Sequence, residues 1–311
     1  MKQMNNIIVA KTSLDIIEMK SKVKYGFSNF ELHLDETFQN SNTAKYNEMA
    51  NDIKGILPDV VAVHTPLDST TLTFGADSVD IAKSLTNDNM RIALEKTCFF
   101  ADIIADVYGH SVIVITHMSD SFKDLSHRGV LKGIVEYVNI LTSMYKNIVI
   151  GIENVTPTEK GVMGEISLRN GILHDPIKLA KHLNENCNSE NKGKFVNVLD
   201  ICHMITTIKM LNAIGVNAPG LTEMIIAYSN SCNYIHLANV EEFGTKPKQH
   251  GTGFTNDEVY LDYILHLLDN HMGSPALCLE MQEDDYQNPI NAIHAKDFIN
   301  ERIRHGKAQT Y

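Results

Sequence analysis

The sequence predicts an α/β protein folded as a closed (β/α)8 TIM barrel, and three observations carry that expectation. Eight strand-sized apolar runs recur along the chain, amphipathic segments of helical period separate them, and no glycine-rich phosphate-binding turn follows the first run, as an open dinucleotide-binding sheet would require. At 311 residues and 34.8 kDa, with no linker-like stretch, the chain reads as a single domain over residues 1–311.

The runs are NIIVAKTS, FSNFELHLDE, DVVAVHTPL, SVIVITHMS, NIVIGIENV, KFVNVLDICH, CNYIHLANV and PALCLEMQE. Largely apolar strands are those of a parallel sheet buried on both faces, and eight of them close most simply into a cylinder. The intervening segments carry helix signals. In residues 87–110, Phe99, Phe100, Ile103, Ile104 and Val107 step by three and four, with Lys96 interrupting the stripe on its N-terminal side. Asp175 followed by Pro176 marks a helix start, with Asp175 expected as the N-cap. Gly109 and Gly273 sit where helices should stop.

Composition excludes several function classes. Hydrophobic residues at 43% and charged ones at 21% are those of a globular chain with an ample core. The net charge of −11 offers no basic footprint for nucleic acid. The apolar runs are strand-sized and the N-terminus lacks a signal-peptide pattern, so the expectation is a cytoplasmic protein without membrane association. Five cysteines, at 98, 187, 202, 232 and 278, are odd in number and without a CxxC pair, which fits reduced, packed thiols.

Barrel strands of this kind present the residues at their C-terminal ends to one mouth, where barrel enzymes keep their active sites. Those ends hold His64, His117, Glu153, Asp200 with His203, His236 and Glu280 on the third to eighth strands, and His250 follows in KPKQHGTGF. A lone strand-end histidine is ordinarily a hydrogen-bonded core residue. Six consecutive strands delivering acids and imidazoles are different, because the carboxylates would repel one another without a cation. Carboxylate oxygen and imidazole nitrogen together suit Zn²⁺, Mn²⁺ or a related divalent ion. Asp200, in the apolar run VNVLDICHMI, is therefore expected to be a direct metal ligand.

IENV with Glu153, LDICH with Asp200 and His203, IHLAN with His236 and LEM with Glu280 resemble the xylose isomerase-like TIM-barrel superfamily, and the likeness runs from the second strand to the eighth. The second strand, with Gly26 and Glu31, resembles the G...vEl opening of its isomerase branch. In the sugar isomerases and epimerases the resemblance implies one divalent metal on Glu153, Asp200, His236 and Glu280, with Mn²⁺ or Zn²⁺ favoured over Co²⁺ or Mg²⁺. Glu153 and Glu280 would also move the substrate proton, and His203 would contact the substrate. The endonuclease IV type of AP endonuclease (family 2) holds up to three zinc ions, and His64, His117, His203 and His250 fall where its further ligands would be. Lys248 stands where that branch carries an aspartate, and the loops lack its DNA-inserting arginine and aromatic wedge, which sets nucleic acid below a small sugar-like substrate as the expected partner.

Gly251 and Gly253, in GTG, form either a tight turn or a backbone cradle for substrate, with Lys248 beside it as a further substrate contact. The remaining histidines, His33 among them, are taken as structural. The preferred reading is a metal-dependent sugar, polyol or sugar-phosphate isomerase or epimerase. A multinuclear zinc phosphodiesterase is the second, and a catalytically silent metal-binding subunit the third. Substrate identity, ion number and homo-oligomer formation are left open.

Overall fold

A computed structural model describes residues 7–35, 38, 41–66, 79–118, 122–156, 173–240 and 250–308. The elements run β1 (Ile8–Thr12), α1 (Ile16–Lys24), β2 (Asn29–His33), α2 (Thr43–Lys54), β3 (Val60–His64), α3 (Asp88–Tyr108), β4 (Val112–Met118), α4 (Phe122–His127), α5 (Val130–Met144) and β5 (Ile148–Asn154). The second half continues with α6 (Asp175–Asn186), β6 (Phe195–Asp200), α7 (Ile201–Ala213), α8 (Leu221–Tyr228), β7 (Cys232–Leu237), β8 (Asn239–Val240), β9 (His250–Thr252), α9 (Glu258–His271), β10 (Ala276–Leu279) and α10 (Ile290–Ala308).

Eight of the strands close into a parallel barrel in the order β1-β10-β7-β6-β5-β4-β3-β2, the cylinder the eight runs predict. The seventh run does not stay whole. It divides at Ala238, where the chain leaves the barrel, and β8 instead pairs antiparallel with β9. The Asn239 side chain, which accepts from the Val240 amide at 2.8 Å, supports that departure.

Helix limits follow the punctuation. Gly109 ends α3 in the left-handed conformation at φ 80°, and Gly273 follows α9 at φ 72°. Asp175 is the first residue of α6, with His174 before it in the capping position, one place from expectation. The buried face of α3 is rotated from the stripe of large residues. Ala93, Thr97, Cys98, Ala101, Ile104 and Ala105 are buried, whereas Phe99, Ile103 and Val107 are partly buried at the flank. Small side chains let the helix approach the sheet closely, and the large ones fill the edges. All five cysteines are free and buried, as expected of small apolar residues. Among the described residues, no helix is long and apolar enough to cross a membrane.

The barrel interior is built in tiers. Val9, Ala62, Ile115, Val198, Tyr234 and Cys278 form an apolar plug with Ala276, all of it buried. Side chains alternate along a strand, so the residue two positions later points inward again, one tier nearer the C-terminal mouth. Those residues are Lys11, His64, His117, Asp200, His236 and Glu280. On β5 the plug position is Gly151, where an added Cβ would lie 2.8 Å from Val198 Cγ2 and 2.9 Å from Ile113 Cγ2; two residues on stands Glu153. The apolar floor thus sets the height of the polar tier.

Candidate metal centre

Strand register brings the tier together. His117 pairs with Glu153 across β4 and β5, and Asp200 with His236 across β6 and β7. Ligand atoms of Glu153, Asp200, His236 and Glu280 all lie within 4.8 Å of one another, the four residues the resemblance implied. His236 Nδ1 faces the acids: Glu280 Oε2 at 2.7 Å, Glu153 Oε1 at 3.0 Å and Asp200 Oδ2 at 3.9 Å. Glu280 Oε2 has hydrogen-bonding geometry to no donor among the described residues, although it is buried. An acceptor with that surrounding fits a metal ligand.

Glu153 reaches a second group. Its Oε2 lies 3.0 Å from His64 Nε2 and 3.1 Å from His117 Nε2, and these three residues meet the same 4.8 Å criterion. The His64 Nδ1 is 2.7 Å from the Thr65 carbonyl, which can only accept, so this nitrogen carries the proton and Nε2 turns its lone pair toward a carboxylate. Burial and Lys11 hold the His64 pKa below its ordinary value, so the ring resists a second proton. A lone pair against a carboxylate oxygen is repulsive unless a cation lies between them. The donor set therefore fits one ion on the four-residue group and can accept a second, with Glu153 shared.

The remaining expected residues are placed as follows. Asp200 caps α7, its Oδ1 accepting from the His203 amide at 2.5 Å. The His203 ring sits in the first turn of that helix with Nδ1 2.8 Å from the Thr156 hydroxyl, and it belongs to none of the metal-compatible groups among the described residues. Burial lowers its pKa to about 4, leaving a neutral ring beside the cavity. His250 lies in β9, but its side chain, like the whole of Lys248, is outside the described residues. Gly251 lines the cavity over the metal group, whereas Gly253 lines a separate one beside Asp257 and Asn291.

Two site residues escaped the sequence reading. Lys11, on β1, lies 2.6 Å from Glu280 Oε1 and 3.2 Å from Glu31 Oε1. Burial alone would lower its pKa, but Glu280, Glu31 and Glu153 more than offset this and hold it above the ordinary value. Glu31, on β2, faces the far side of His236, its Oε2 2.9 Å from Nε2. Burial would raise the Glu31 pKa, and His236 followed by Lys11 instead hold it at about 2. The available signal was the alternation, Val9 to Lys11 and Asn29 to Glu31, in strands whose ends drew less notice than the acid- and histidine-tipped ones. His33, taken as structural, is one step further up β2; burial, Lys11 and His64 push its pKa down to about 3, and it lines the cavity.

Protonation follows from this crowding. Burial, then Glu153 and Glu280, push the Asp200 carboxyl up to about 8. For Glu153, burial is outweighed by His236 and His117, and its pKa falls well below the carboxylate range. For Glu280, burial is outweighed by Lys11 and His236, with the same result. A cavity of about 420 Å³ opens above these groups, with Lys11, His33, Asp200, His203 and Glu280 in its wall. The Glu280 side chain is 28% exposed and the Glu153 side chain 2%, so Glu280 is the glutamate that meets the cavity.

Solved structures share this architecture over nearly the whole chain. A xylose isomerase domain protein from Planctomyces limnophilus superposes with a TM-score of 0.60 at 12% identity, covering 97% of this chain and 99% of that one. The fold is that of the xylose isomerase-like TIM barrels. A D-tagatose 3-epimerase-like protein matches this xylose isomerase-like barrel with a TM-score of 0.58 at 14% identity, over 97% of this chain and 99% of that one. A D-allulose 3-epimerase from Methylomonas sp., solved in complex with D-allulose, gives 0.61 at 12% identity, over 96% and 97%. No family model and no curated protein matches the sequence of this xylose isomerase-like barrel.

Proposed function

We propose that this barrel is a divalent-metal-dependent isomerase or epimerase of a small sugar or polyol. The carrying observation is the convergence of Glu153, Asp200, His236 and Glu280 at the floor of a cavity on the C-terminal face of the barrel. Epimerases among the structural neighbours, one of them with D-allulose bound, support a sugar-like substrate. The four residues would hold the ion, which would supply Lewis-acid stabilisation of negative charge developing on substrate oxygens. Glu280, facing the cavity, is placed to remove the proton from the carbon beside the substrate carbonyl. Glu153, enclosed by three imidazoles, is the second acid-base carboxylate of the resemblance and stands behind the first. The neutral His203 ring offers a hydrogen bond to a substrate hydroxyl.

The test is to strip the protein with EDTA, restore Mn²⁺, Co²⁺, Mg²⁺ or Zn²⁺ in turn, and assay isomerisation and epimerisation on a broad sugar panel. Activity restored by one ion supports the proposal. Failure of every combination removes it. The His64, His117 and Glu153 group favours a second reading, a multinuclear zinc phosphodiesterase of the endonuclease IV type. Two or more ions per chain with cleavage of abasic duplex DNA would establish that reading, and one ion without cleavage would dismiss it. His203→Ala separates the two again. It loses activity with the ion retained in the single-ion reading and loses metal in the multinuclear one.

A further inference from the structure

We propose that Glu31 is a positioning residue that aims the His236 lone pair into the metal group from behind. The inference rests on the metal reading above and adds an outer partner to it. His236 is fully buried and its two ring nitrogens face opposite ways. Nδ1 meets the three acids, while Nε2 lies 2.9 Å from Glu31 Oε2, across the barrel on β2. An ionised carboxylate only accepts, so Nε2 carries the ring proton and Nδ1 is left with the lone pair a metal needs.

Glu31 is itself held on two sides. The Tyr234 hydroxyl donates to the same Oε2 at 2.9 Å, and the Lys11 ammonium stands 3.2 Å from Oε1. Tyr234 belongs to the apolar plug, so the position of Glu31 is referred to the rigid floor of the barrel rather than to a loop. Glu31, His64 and His236 also lie close enough together to suggest an ion between them. Three features argue against Glu31 as a direct ligand: the ammonium beside its Oε1, the Tyr234 proton on its Oε2, and the engagement of His64 Nε2 with Glu153. A fixed cation at that place repels a second one. Outer carboxylate partners of this kind orient the imidazole and raise its basicity, and their loss typically weakens metal affinity 10- to 100-fold.

The experiment titrates metal-stripped wild type, Glu31→Gln, Glu31→Leu and Tyr234→Phe with Zn²⁺ against a competing chelator, and counts ions at saturation by mass spectrometry. Metal-free melting curves check folding. Glu31→Leu is expected to bind about 10- to 100-fold more weakly with an unchanged ion count. Glu31→Gln should be intermediate, because its amide oxygen still accepts from Nε2–H, and this partial rescue is what a purely structural role would not produce. Tyr234→Phe should stay near wild type. If Glu31→Leu does not fold, the Glu31→Gln affinity decides alone, and wild-type affinity there overturns the proposal. An indifferent Glu31→Leu overturns it as well, and so does a saturation count lower by one ion, which would make Glu31 a ligand. Wild-type protein that takes up no ion at all sinks the metal reading itself.

Discussion

Asp200 has two oxygens with separate duties. Oδ1 closes the N-terminus of α7 by accepting from the His203 amide, and Oδ2 looks across at His236 Nδ1. Asp200→Ala should therefore lose ion uptake and also about 1 kcal/mol of stability for the missing cap. Asp200→Asn should lose ion uptake while keeping most of the cap, because an amide oxygen also caps well. Metal analysis and urea unfolding of the two variants separate the duties. Equal unfolding midpoints for both would show that the cap contributes nothing. Asp200 was legible in the sequence because a carboxylate at the end of an apolar run demands a partner, and the same holds for Glu153 and Glu280. Glu31 was not. Its significance lies in a contact with a residue 205 positions away, and a linear pattern shows which face a side chain takes but not what stands opposite.

At the level of single elements, strand alternation was the readable part and helix orientation the less readable one. The plug-then-ligand spacing follows directly from a period of two, so that fixing Val198 or Tyr234 inward fixes Asp200 or His236 inward as well. In α3 the large residues marked an apolar surface correctly but not its centre, because helix-to-sheet distance is set by the smallest side chains at the contact. Gly151 shows the same economy of space inside the barrel. Gly151→Ala would drive a methyl against Val198 and Ile113, and overpacking of this kind costs typically ~1–3 kcal/mol. Denaturant melts should show that loss, and reduced ion affinity should accompany it because Glu153 is two residues away. An unaltered midpoint would mean that the barrel interior yields more easily than its packing suggests.

For the molecule as a whole, the polar tier makes stability depend on pH in a way the ion should reverse. In metal-free protein the raised Asp200 carboxyl, at about 8, and the raised His236 both keep protons that the unfolded chain releases. Between the ordinary histidine value of 6.5 and about 8, the folded state therefore binds more protons than the unfolded state, and stability falls as pH rises. Below 6.5 the depressed His33, at about 3, and His203, at about 4, act oppositely, because they stay neutral in the fold while the unfolded chain takes up protons. The metal-free melting temperature should thus peak near 6.5 and decline toward 8. With Zn²⁺ or Mn²⁺ at about 100 times its Kd, binding should add about 2.7 kcal/mol and abolish the decline, since the ion needs those ligands deprotonated. A decline that persists in the loaded protein would show that the ion does not occupy this group.

The antiparallel pair β8–β9 joins the barrel wall to the rim on either side of residues 241–249. Both ends of that stretch are thereby stapled to the frame independently of whatever letters lie between the staples. Such a segment behaves as an interchangeable cartridge: its composition can drift, or be rewritten at the bench, with the cylinder beneath it left to fold unaided.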